Sequence, residues 1–143
     1  MRQRHLRFAA GSLAAALILT ACGGAVSDAY EREEPYTVEA VEGEEFARVV
    51  LTPSAVERLD IQTEPVGSSG SALVVPAEAV YLDADGTFWV FTNPEPLVYV
   101  REGVELVRET GESAFLSEGP PPGTEVVTVG IPELYGAETG FGT

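Results

Sequence analysis

Turn-forming residues recur so closely through the second half of this chain that no element between them has room to be long. From residue 72 onward, short runs rich in Val, Phe, Tyr and Thr are separated by breaks carrying Gly, Pro and Asp, the pattern of β-strands joined by tight connections. The predicted strands are residues 72–75, 79–82, 87–92, 97–101, 104–108, 114–117 and 125–129. Asp83-Ala84-Asp85-Gly86 lies between two apolar runs and ends on a glycine free to take positive φ, so it predicts a hairpin loop. Asn93-Pro94-Glu95-Pro96 denies a ladder two donors and is expected as another loop, and Gly119-Pro120-Pro121-Pro122-Gly123 is expected as a stiff corner. Upstream, residues 46–51 are β-prone. Thr52-Pro53 then reads as an N-cap followed by Pro at the first helical position, with Ala55, Val56 and Leu59 as the apolar stripe of one short helix. Residues 61–66 return to extended chain, and residues 67–71 (Gly-Ser-Ser-Gly-Ser) read as a flexible joint. The expected fold is mainly β, a small antiparallel roll or barrel with one short helix.

The N-terminus reads as an address. Arg2, Arg4 and Arg7 precede an apolar run over residues 8–19, shorter than the roughly 20 residues a membrane-spanning helix needs. Leu19-Thr20-Ala21-Cys22 follows and resembles the lipobox of bacterial lipoprotein signal peptides, which implies cleavage after Ala21 and acylation of Cys22 with chains such as palmitate. Burying acyl chains contributes about 0.8 kcal/mol per CH₂, so two or three chains hold a protein on a membrane almost permanently. Cys22 is the only cysteine of the 143 residues, which excludes an intramolecular disulfide.

Removal of the leader takes the only His and three of the eight Arg with it, leaving five Arg against 23 acids and a net charge of −18. The chain has no Lys. A nucleic-acid partner is therefore not expected, and neither is an enzyme, since most general bases, the Schiff-base amine and a thiol nucleophile are missing. Residues 22–45 carry eight of the acids and few large apolar residues, and read as an acylated Cys followed by a disordered tether. Its random-coil reach is roughly 26 Å. The domain boundaries are then 1–21 leader, 22–45 tether, 46–135 β domain and 136–143 flexible Gly-rich tail.

Val75-Pro76-Ala77-Glu78-Ala79-Val80, Asp85-Gly86 and Thr87-Phe88-Trp89-Val90-Phe91, followed by Tyr99-Val100-Arg101, Val104-Glu105-Leu106, Gly123, Glu125-Val126-Val127-Thr128-Val129-Gly130 and Glu133-Leu134, resemble the membrane-proximal domain of periplasmic adaptor (membrane-fusion) proteins of bacterial efflux pumps. Val50-Leu51-Thr52, Ala55, Arg58-Leu59 and Ile61-Gln62-Thr63-Glu64-Pro65-Val66 resemble the segment that opens many adaptors, with Asp60 where a Gly is often found. In that family a lipoyl domain, a helical hairpin and a β-barrel are inserted between these segments. Here only residues 67–71 join them, and no stretch has the length or heptad pattern of a hairpin. The resemblance implies an accessory lipoprotein on the extracytoplasmic side of the cell membrane that docks on a transporter permease or efflux-pump component, its insertions absent.

Phe88, Trp89, Phe91 and Tyr99 read first as core with one exposed edge, and Arg101 and Arg108 first as surface partners of nearby Glu; the second reading of all six is a partner-docking patch. No cofactor or metal is expected: Asp83-Ala84-Asp85-Gly86 lacks the further ligands of a calcium loop. The alternative function is an envelope module that uses the acidic surface to bind cations or small cationic ligands.

Overall fold

Two strands with apolar residues on both faces decide the layering. In the computed structural model, which describes residues 34–43 and 46–140, the strands are β1 (Tyr36–Glu39), β2 (Arg48–Leu51), β3 (Gln62–Pro65), β4 (Gly67–Ser69), β5 (Ala72–Pro76), β6 (Tyr81–Leu82), β7 (Phe88–Glu95), β8 (Val98–Thr110), β9 (Ser113–Glu118) and β10 (Glu125–Val129). Helix α1 (Pro53–Leu59) follows β2 and helix α2 (Ile131–Thr139) follows β10, with a 3-10 turn at Ala77–Ala79. Successive residues of a strand point to opposite faces. On β7, Val90 joins a core cluster with Val66, Val75, Val104, Leu116 and Val126, while Phe91 joins the other with Val49, Leu51, Tyr99, Val127 and Leu134. The first cluster fills the barrel interior, and the second lies between the outer face of the sheet and the helices. Phe91, Val90, Val126 and Val127 are fully buried, and burial of each stabilises the fold by roughly 1.5–3 kcal/mol.

The sheet order β3-β10-β7-β8-β9-β5-β4 begins and ends on one segment of chain. β3 pairs antiparallel with β10, β4 pairs antiparallel with β5, and between them Val66 donates its N–H to the Thr124 carbonyl at 2.8 Å and accepts from the Gly123 N–H at 2.8 Å. Residues 62–69 thus bring the two ends of the sheet together in a nearly closed antiparallel barrel. β8 makes the opposite corner. Its first part lies between β7 and β2, its last part pairs with β9, and register shifts at Glu105/Leu106 and Leu106/Arg108 carry it round.

Helix α1 starts as its sequence requires. The Thr52 hydroxyl accepts from the Ala55 N–H at 3.2 Å, and Pro53 occupies the first turn, where a missing donor costs nothing. Asp60 ends the helix in the left-handed region at φ 51, a conformation that glycine adopts without strain.

The structure corrects the sequence reading at five places. The expected single helix is joined by α2, which runs through Gly136 to Thr139, where a flexible tail was expected; Ile131, Leu134 and Ala137 bury one stripe of it, and that burial outweighs the propensity cost of Gly136. Tyr36–Glu39, expected within the tether, forms β1 on β2, a run of Tyr, Thr and Val suited to a pleated surface. Residues 67–69, expected as a joint, form β4, with the turn at Gly70 (φ 63). β7 continues to Glu95 through the expected Asn-Pro loop, because Asn93 Nδ2 replaces ladder donors by bonding the Glu95 and Val98 carbonyls at 2.7 and 2.8 Å. The two strands expected over residues 97–108 are one, β8.

Candidate functional site

Four separate elements place their side chains around one guanidinium. β8 sets Arg101 opposite Phe91, on the sheet face that α2 covers. The β6–β7 hairpin contributes Asp83, whose Oδ2 is 3.0 Å from Arg101 Nη1, and the last turn of α2 contributes Glu138, whose Oε2 is 3.2 Å from Arg101 Nε. That second contact is an ion pair without the alignment of a hydrogen bond, so both atoms are buried without a hydrogen-bond partner. Aromatic rings complete the enclosure: the Arg101 guanidinium carbon lies 4.4 Å from the ring centre of Phe46, 4.8 Å from Trp89 and 5.5 Å from Tyr135, distances at which a ring's negative face attracts a cation. Tyr135 also donates its hydroxyl to Asp83 Oδ1 at 3.4 Å.

Burial shapes the charges here. It raises the Glu138 carboxyl above the ordinary glutamate range, against the pull of Arg101. It pushes the Tyr81 phenol up to about 12; this hydroxyl feels the Arg101 charge but lacks a hydrogen bond of regular geometry. For Arg101, burial disfavours the cation, yet Tyr81, Glu138 and Asp83 outweigh it and the pKa rises. The group stays charged and holds the hairpin, β8 and α2 together. With an 11 % exposed side chain, Arg101 acts as a tie inside the domain.

The other expected docking residues divide. Phe91 and Tyr99 are core, at 0 % and 4 % exposure. Trp89 is buried, its ring meeting that of Phe46 edge to face at a centroid distance of 4.7 Å, beside Gly103. Phe88 packs half-buried against the barrel interior. Arg108 does lie at the surface, its guanidinium 3.6 Å over the Phe115 ring and donating to Thr110 Oγ1 at 2.8 Å. Asp83-Ala84-Asp85-Gly86 is the hairpin turn expected, with Asp83 N–H on the Thr87 carbonyl and Gly86 at φ 89. Ala21 and Cys22 lie outside the described residues.

Sequence reasoning missed Glu138 because it sits in a Gly-rich stretch that looked unstructured, and nothing local announces its return to residue 101. The surface it missed is a groove of about 450 Å³ between α1, α2 and β1, lined by Pro35, Tyr36, Leu59, Pro132, Tyr135 and Ala137 among others. A second concavity of about 660 Å³ is rimmed by Glu64, Glu78 and Glu112. Among the described residues no group of three or more His, Cys, Asp or Glu is placed to hold a metal ion, and no helix is long and apolar enough to cross a membrane. Comparison with family models, with curated proteins and with solved structures found no match.

Proposed function

We propose that this chain is a non-enzymatic lipoprotein, anchored by acylated Cys22 on the extracytoplasmic side of the cell membrane, whose β domain docks on the extracytoplasmic part of a transporter. The observation that carries the reading is the sharing of one sheet by the two adaptor-like segments. β3, from the opening segment, pairs with β10 from the closing segment, and β2 pairs with β8, as a membrane-proximal domain of the resembled family requires when its insertions are removed. Local concentration supplies the mechanism. A tether made of the residues between Cys22 and β1 keeps the domain at a millimolar effective concentration relative to neighbouring membrane proteins, so a weak interface stays occupied.

The test has two parts. Mass spectrometry of the membrane-extracted protein is expected to find a mature N-terminus at Cys22 bearing fatty acyl groups. Chemical cross-linking in intact membranes followed by pull-down is expected to enrich a transporter subunit over a Cys22→Ser control. An unmodified residue 22, or no transporter subunit above that control, would overturn the proposal.

A further inference from the structure

Strand β1 is an edge: among the described residues its only pairing is with β2. The phase of that pairing is fixed by two hydrogen bonds. Thr52 N–H donates to the Pro35 carbonyl at 3.0 Å, whereas Leu51 N–H turns the other way, to the Leu97 carbonyl at 2.9 Å. In the register Tyr36↔Leu51, Thr37↔Val50, hydrogen-bonded and non-hydrogen-bonded pairs alternate. Thr37 and Glu39 therefore bond with β2, and the N–H and C=O of Tyr36 and Val38 point outward.

Natural edges are guarded by short length, charged side chains, Pro or a bulge. Strand β1 is four residues long and ends on Glu39, but it contains no Lys or Pro, and its pairing with β2 runs without a register shift. Val38 is 43 % exposed, one of three large hydrophobics so exposed among the described residues. At the start of the strand the apolar groove lined by Pro35, Tyr36 and Leu59 offers depth to a side chain arriving along this edge. Exposed Glu34, Glu39 and Glu42 flank it and, with Glu133 in the groove, outnumber Arg48, which faces Glu39 across the ladder, and Arg58, which lines the groove. A second copy of the chain would bring the same acids against these, so charge complementarity selects a basic occupant.

Resting on the function proposed above, we infer that the outer edge of β1 is where the transporter component docks, by adding an extended segment with alternating apolar and Lys or Arg residues as a further strand. Main-chain bonds to Tyr36 and Val38 give such a complex its affinity, and side chains at alternate positions give it specificity.

The experiment uses the full-length acylated protein in detergent micelles and a capped heptapeptide alternating Lys and Val. The expected result is saturable binding that weakens with added salt, new amide-exchange protection at Tyr36 and Val38, and none at Thr37. Val38→Pro removes an outward donor that β2 does not use, and a proline is tolerated there; it is expected to weaken binding about tenfold, the worth of one backbone hydrogen bond. A peptide N-methylated along one edge repeats the test on unaltered protein and is expected to lose binding likewise. Absence of saturable binding, equal binding by Val38→Pro and by the methylated peptide, equal binding of a Glu-for-Lys peptide, or prior protection of Tyr36 and Val38 in the free chain would each overturn the inference. Membrane cross-linking separates its failure from that of the function: capture of a transporter subunit equally by wild type and Val38→Pro removes the edge alone, and capture by neither removes the function.

Discussion

Replacing Arg101 by Met tests whether the buried ion cluster holds α2 to the barrel. Met keeps an unbranched side chain of similar reach and deletes the guanidinium that lies over Phe46 and Trp89, leaving Asp83 and Glu138 without their cation. The Glu138 side chain is 6 % exposed and that of Asp83 is 21 %, so neither is fully rescued by water. Removing one partner of a buried pair costs roughly 3–5 kcal/mol, and each lost contact between the guanidinium and a ring adds about 0.5–1 kcal/mol where partly desolvated. The unaligned Nε–Oε2 contact argues for the lower end, so we expect a loss of roughly 3 kcal/mol, a large share of the 5–15 kcal/mol typical of a domain. Urea unfolding followed by the fluorescence of Trp89, the only tryptophan, reads both global stability and the cluster itself. The double variant Arg101→Met/Glu138→Gln removes the more buried of the two stranded charges and is expected to recover at least about 1 kcal/mol. A single-variant loss under about 1 kcal/mol, or no recovery in the double variant, would refute the claim that the cluster acts as one unit.

Three further outcomes are expected. Gly130 caps the start of α2 at φ 96, and a Cβ there would meet the movable end of the Ile61 side chain, so Gly130→Ala should lower the unfolding free energy by roughly 1–2 kcal/mol, measured by urea titration, chiefly through strain in the left-handed region. Thr52→Ala removes the hydroxyl that caps α1 and should cost about 1 kcal/mol in the same assay. Burial raises the carboxyls of Glu138 and Glu102 in the folded state, so the native protein binds more protons than the unfolded chain just above the ordinary glutamate range. Thermal midpoints should therefore rise as pH falls from 7 toward 5; further acidification should reverse the gain as Asp85, held low by its hydrogen bonds to Thr87, becomes protonated, and a midpoint flat across both ranges would contradict this.

The legible parts of the sequence were those whose physics is local. Residues 125–129 read as a strand end to end because Val126 and Val127 are flanked by a Pro/Gly corner and by Gly130, and α1 was readable from Thr52-Pro53 because a cap and an N-terminal proline act within one turn. The Asp83 to Gly86 turn was equally local. What escaped depended on distant chain. Gly136 disguised α2, whose stability comes from burying Ile131, Leu134 and Ala137 against β2 and β10 and not from propensity. From sequence Arg101 reads as a surface cation paired with nearby Glu or offered to a partner, because its true partners are 18 and 37 positions away, and the aromatic residues beside it read partly as surface for the same reason. β1 was hidden by its acidic neighbours, since composition averages over a stretch while pairing needs only four residues of suitable alternation.

The corner at Val66 shows how the barrel closes. A barrel of short strands needs one strand to pass from one end of the sheet to the other, and here residues 62–69 do so, bonding to β10 before Val66 and to β5 after it. The turn at Gly70-Ser71 is then the only chain required to return into β5, and Gly70 at φ 63 with open space where a Cβ would stand makes that turn without strain. Lengthening this loop should therefore cost only loop entropy, about 0.6 kcal/mol for each doubling. A ten-residue Gly/Ser insertion between Gly70 and Ser71 is expected to leave the urea midpoint nearly unchanged, whereas the same insertion between Val66 and Gly67 should unfold the domain, because it separates the two pairings that close the barrel. Equal tolerance at both sites would show that residues 62–69 do not act as one closing strand.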